Sequence, residues 1–196
     1  MEKRESILMA AGDHFLLKGF EGASMDAIAD AAGVSKLTIY NHFKNKDVLF
    51  KEVIISECDK HEYNPELLQH LVKQSPKTAL TAIARSFLGL VLEPKVVEMY
   101  RVIISEAAKR PKISQLFYEA GPERMIQGFA KLLQEFCKQK RLKIADPHRA
   151  THHFFLLVKG ELHMRALLNI PPEPTKKERE LHIRDVVNLF VKTYAP

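Results

Sequence analysis

Two lysines stand where an isolated helix would not choose them. Lys36 follows Ser35 and opens an amphipathic run. Lys46 follows Asn45 and opens the next. Ser and Asn are good N-caps, so both lysines belong to first helical turns. A cation there opposes the positive end of the helix dipole, at about 0.3–1 kcal/mol each. A bound phosphate, held by the ammonium and the free backbone N–H groups, would reverse that penalty. The chemistry suggested is anion recognition by helix starts, not covalent catalysis.

The elements around these lysines read as two short helices joined by a tight turn. Ser24 caps the first, and Asp26 suits its positive end. Met25, Ile28, Ala29 and Ala32 form an inward face, with alanines small enough for a close crossing. Gly33 supplies a left-handed turn residue, and Val34 plugs the space beneath. Ser35 caps the second helix, anchored by Ile39 and Phe43 at i, i+4 spacing. Lys36, Leu37, Thr38, Tyr40, Asn41 and His42 are left on outer or flanking faces. That is the surface a helix needs to read base edges in the major groove of double-stranded DNA.

Bulk charge does not locate this function. The chain of 196 residues has a formal charge of +6, yet residues 1–51 hold seven Lys/Arg and seven Asp/Glu. The later cluster Lys138, Lys140, Arg141 and Lys143 reads as a cationic helix end. No apolar run approaches the roughly 18 residues of a membrane span. The start lacks a signal-peptide pattern, so a cytoplasmic protein with no membrane partner is expected. Cys58 and Cys137 have no zinc or disulfide spacing and read as reduced thiols. His148, His152 and His163 lack an acidic or thiol partner at metal-binding spacing, so no metal and no cofactor are expected. No phosphate loop, nucleophile elbow or metal triad marks an enzyme.

Prolines at 65, 76, 94, 111, 122, 147, 171, 172, 174 and 196 divide the rest into helix-length intervals. Helical period prevails, so the expected fold is all-α, with a first helix ended by Gly19. Gly121-Pro122 is expected to end one helix and open the next. Helices over about 46–62, 123–141, 148–168 and 175–194 follow from the same pattern. Phe87, Met99, Tyr100, Ile103, Met125 and Phe129 are adaptable apolar residues suited to lining a largely apolar effector pocket, or to ordinary core. Ala150, Phe154, Phe155, Val158 and Leu162 cover more than one side of their helix. They therefore predict both a core contact and a second-subunit contact.

The stretch from residue 4 to 51 resembles the TetR family of bacterial transcriptional regulators. The resemblance lies in Gly19-Phe20, Ser24 through Ile28-Ala29, Ala32 to Lys36, Ile39-Tyr40, His42-Phe43, Lys46 and Leu49-Phe50. It implies a helix-turn-helix DNA-binding domain over 1–47 and an effector-binding and dimerisation domain over 48–196. It also implies a homodimer on operator DNA, most often a repressor released by a small-molecule effector. An activator or a ligand-independent binder are the alternatives. By the same resemblance Ser24, Ser35, Lys36, Thr38, Tyr40, His42 and Lys46 are the DNA-contacting positions, and the helices near 123–141 and 148–168 form the dimer interface. Leu37 departs from the family pattern, which often has Gly or a polar residue there. Residues 102–124 resemble the AefR-like C-terminal subgroup.

Overall fold

A computed structural model describes residues 2–60 and 70–196. Among them are ten α-helices and no strand. Four are N-terminal: α1 (Lys3–Gly22), α2 (Met25–Ala31), α3 (Lys36–His42) and α4 (Lys46–Lys60). Then come α5 (Pro76–Val91), α6 (Pro94–Ala107), α7 (Pro111–Tyr118), α8 (Arg124–Lys138), α9 (Pro147–Leu167) and α10 (Lys176–Thr193). Pro76, Pro94, Pro111 and Pro147 each open a helix, where the missing N–H costs nothing. Pro65 and the expected end of the fourth helix near 62 lie outside the described residues.

Gly121-Pro122 behaves differently from expectation. The chain does not stop there. Glu119–Glu123 forms one π-helical turn that carries Pro122 inside it and runs from α7 into α8. A wider turn tolerates the proline that an α-turn would reject. Gly121 packs closely on α4, where a Cβ would lie 3.2 Å from Ile54 Cγ2.

The chain divides into two compact units. The first comprises Met1–Glu57 and Glu98–Pro122. Its core joins Ile7, Phe15, Phe20, Ile28, Ile39, Phe43, Leu49 and Phe50 to Met99, Ile103, Ile113 and Phe117. Phe15, Phe20 and Phe50 form an aromatic trio, with Phe50 edge-on to both partners at 5.2 and 5.4 Å. Such pairs contribute about 0.5–1.5 kcal/mol beyond burial. Lys112 pairs with Asp47 at 2.6 Å and Lys51 with Glu119 at 2.5 Å, tying α7 and the π-turn to α4. The expected division by role at residues 47/48 therefore does not follow the packing, which puts residues 98–122 with the N-terminal helices.

The second unit comprises Cys58–Val97 and Glu123–Pro196. Its core is α5 against α8, α9 and α10 through Leu80, Ile83, Phe87, Phe129, Leu133, Phe154, Val158, Val187 and Phe190. Gly160 breaks α9 at φ 48, ψ −150. That freedom belongs to glycine. The break leaves Val158 O to accept from His182 Nε2 at 3.0 Å. Arg141, from the basic cluster, donates to Val72 O at 2.9 Å and to Gln74 O, and ties the turn after α8 to the segment before α5. No disulfide joins Cys58 to Cys137.

Candidate nucleic-acid interface

The helix-turn-helix folds by local rules. Ser24 Oγ accepts from Ala27 N at 3.1 Å, and Ser35 Oγ accepts from Thr38 N at 3.1 Å. Gly33 adopts φ 67, and Val34 N donates to Ala29 O at 3.0 Å. That bond ties the turn back to α2. Ile39 and Phe43 are buried beneath α3, so its other face must turn outward. Leu37 is 71% exposed and Tyr40 is 40% exposed. Lys36, Asn41 and His42 are exposed beside them, and Thr38 is half-buried. An apolar side chain as open as Leu37 fits a thymine methyl contact and gains little from its own fold.

Lys36 and Lys46 are both engaged within the domain. Lys36 Nζ donates to Asp26 Oδ2 at 2.8 Å, joining the first turn of α3 to the first turn of α2. The Asp26 hydrogen bond and charge raise the Lys36 pKa. Lys46 Nζ donates to Ala23 O at 3.1 Å and Glu21 O at 3.4 Å. It also sits 4.6 Å over the Phe20 ring. Gly19, at φ 66, breaks α1 and turns these last carbonyls toward it. Asn45 Oδ1 caps α4 by accepting from Val48 N at 2.9 Å. The Glu21 carboxylate also pairs with the Lys46 ammonium, at 4.0 Å.

The six residues expected around one pocket are divided between the two units, three in each. Phe87, Met125 and Phe129 are buried in the second unit's core. Met99 and Ile103 are buried in the first unit's core, with Tyr100 packed against it. In the second unit Phe87 meets Phe155 at 4.4 Å, and Phe129 meets Phe154 at 4.8 Å and Phe155 at 5.1 Å. Lys159 Nζ lies 5.9 Å from the Phe87 ring centroid, and burial lowers its pKa. His163 is 6% exposed and hydrogen-bonds Val91 O through Nδ1 at 3.0 Å. Burial and the Lys159 charge push its pKa down to about 4.

The residues expected to make both a core contact and a second-subunit contact make the core contact. Ala150, Phe154, Phe155 and Val158 are buried inside their own subunit, and Leu162 is half-buried against the same core. The apolar residues that α9, α10 and the turn between them expose are Leu156, Leu157, Met164, Leu168, Ile170, Leu181 and Leu189. The signal was in the sequence as a second apolar set on α9 and pairs such as Leu181/Leu189. The buried set, richer in phenylalanine, masked it. His148 and His152 rings approach at 4.8 Å, while no group of three metal-capable side chains forms among the described residues. No described helix is long and apolar enough to cross a membrane.

Comparison with known proteins agrees with this geometry. The family model "Bacterial regulatory proteins, tetR family" matches residues 7–53, and "AefR-like transcriptional repressor, C-terminal domain" matches residues 78–196. A solved TetR-family regulator from Mesorhizobium loti aligns over 99% of this chain and 97% of its own, at 28% identity and TM-score 0.81. The flavonoid-responsive regulator FrrA aligns over 99% and 97%, at 35% identity and TM-score 0.75. The transcriptional activator FasR of Mycolicibacterium smegmatis is 43% identical over 58 residues, 30% of this chain and 26% of FasR. The chain thus spans about a quarter to a half of the curated relatives it matches. Helix-turn-helix geometry, fold and a family match over more than half the chain coincide: this protein belongs to the TetR family of DNA-binding transcriptional regulators.

Proposed function

We propose that the protein is a cytoplasmic, homodimeric repressor that leaves its operator when an aromatic effector occupies the second unit. The observation that carries the reading is the exposed face of α3 held on a buried Ile39/Phe43 anchor. Tyr40, Asn41, His42 and Leu37 reach base edges from that face. Lys36, Lys46 and the Ser24, Ser35 and Thr38 hydroxyls meet phosphates. Two such helices, one DNA turn or about 34–36 Å apart, require two subunits. The exposed leucines of α9 and α10 supply the apolar surface for that pairing.

Repression is favoured over activation because the C-terminal match, the longer of the two, is to a repressor domain. The aromatic class of effector draws on FrrA, whose name describes a response to flavonoids, and on the Phe87–Phe155–Phe129–Phe154 cluster. Planar rings stack on phenylalanines, and the Lys159 ammonium beside Phe87 suits an acidic phenol. The effector acts by favouring a conformation in which the two α3 helices are wrongly spaced.

The test is retention of a duplex carrying the promoter beside its gene, with and without naringenin as the probe flavonoid. The reading expects binding without the probe and release with it. A probe that binds tightly by calorimetry yet leaves DNA affinity unchanged contradicts the release mechanism.

A further inference from the structure

We infer that Asp26 is a specificity-determining residue that keeps Lys36 internally paired until the reading helix is seated on its proper sequence. The inference rests on the phosphate role proposed above for Lys36. Asp26 lies in the first turn of α2, where its backbone position is fixed by the Ser24 cap. Its carboxylate reaches the first turn of α3 and accepts from Lys36 Nζ at 2.8 Å. Both side chains are more than half exposed, so the pair stands on the surface that the α3 face shares.

The consequence follows from how proteins bind the wrong DNA. Non-specific affinity comes almost wholly from cations that neutralise phosphates and release counterions. A lysine already paired at 2.8 Å gives up that partner before it gains a phosphate. On unrelated DNA the domain has no fixed register, and Lys36 stays with Asp26. On the operator, contacts from Tyr40, Asn41 and His42 fix the register and bring a phosphate to Lys36. The exposed pair is weak, so the exchange is easy once the register is set. Asp26 therefore lowers affinity for unrelated DNA more than affinity for the operator.

The test uses the full-length protein and two duplexes. One is selected from a random pool by the wild-type protein; the other is an unrelated sequence of equal length. Dissociation constants are measured across a salt series for wild type, Asp26→Asn, Asp30→Asn, Lys36→Gln and the Asp26→Asn/Lys36→Gln pair. Asp30, exposed one turn later on α2, reports the plain effect of removing a negative charge from this helix. Asp26→Asn is expected to tighten binding to the unrelated duplex about three- to tenfold, beyond Asp30→Asn, and to steepen its salt slope by about one per reading helix engaged. Operator binding changes less, so the specificity ratio falls at least about threefold. Lys36→Gln weakens the operator complex and leaves the unrelated one near wild type, and the double variant returns the unrelated complex to that level. If Asp26→Asn matches Asp30→Asn while Lys36→Gln still weakens operator binding, the role of Asp26 is overturned and the phosphate contact stands. If Lys36→Gln leaves operator affinity and salt slope unchanged, the placing of Lys36 on DNA is overturned, and the inference with it.

Discussion

Replacing Lys46 with methionine separates two roles that the lysine combines. Methionine keeps most of the stem over Phe20 and removes the ammonium. The lost interactions are the hydrogen bonds to Ala23 O at 3.1 Å and Glu21 O at 3.4 Å, the Glu21 carboxylate at 4.0 Å, and the contact 4.6 Å above Phe20. A charged hydrogen bond contributes about 1.5–3 kcal/mol and an exposed cation–π contact about 0.5–1 kcal/mol. The side chain is 23% exposed and the second bond is long. Discounting for both leaves about 2 kcal/mol. In a chain of this size that lowers the melting temperature by about 4–8 °C. The proposed phosphate contact gives a separate expectation on DNA: the slope of log affinity against log salt falls by about 0.9 per reading helix, equally for all sequences. Scanning calorimetry and a salt-series titration read the two effects. A melting temperature within a degree of wild type refutes the clamp. A lowered melting temperature with an unchanged salt slope shows that Lys46 holds α1 to α4 and touches no phosphate.

Gly160→Ala places a Cβ 3.0 Å from His182 Cε1 at a backbone angle that L-residues avoid, so it is expected to destabilise by about 1–3 kcal/mol, read as a lower urea midpoint. His163 is neutral in the folded state, with a pKa of about 4 against 6.5 when unfolded, so the unfolded chain binds the proton first. Stability is then full above pH 6.5 and declines as pH falls toward 4, by at most about 3 kcal/mol from this group. His163→Gln should flatten that decline in acid denaturation curves; an unchanged slope assigns it to other groups. Leu156→Glu with Met164→Glu puts charge on the exposed face of α9 and should convert a dimer to monomer by light scattering, whereas Phe154→Ala should lower stability of each subunit by about 3–5 kcal/mol.

What was legible in the sequence was local. The caps Ser24 and Ser35, the turn at Gly33 and the Ile39/Phe43 anchors are set within a few residues, so type and spacing suffice. The helix starts at prolines 76, 94, 111 and 147 were legible for the same reason. What required three dimensions was partner choice. Nothing in the period of α9 says which apolar side meets its own core, so Phe154 and Phe155 are expected at both core and partner, and only the structure shows Leu156 exposed. Nothing in the run from Phe87 to Phe129 says that Met99 and Ile103 pack in one unit and Phe87 and Met125 in the other. Lys46 looked like an unopposed cation because its acceptors are carbonyls, which every residue has. Asp26 was read as a helix-dipole residue, and its reach to Lys36 across the turn was missed.

The most direct test of the account is the sequence preference of the α3 face. Duplexes selected from a random pool by the wild-type protein should share two related half-sites about one helical turn apart. Asn41→Ala and Tyr40→Ala should each cost about 1–3 kcal/mol on that sequence and relax the preference at one position of each half-site. Selection of the same sequence with the same affinity by both variants would contradict the claim that α3 reads the DNA.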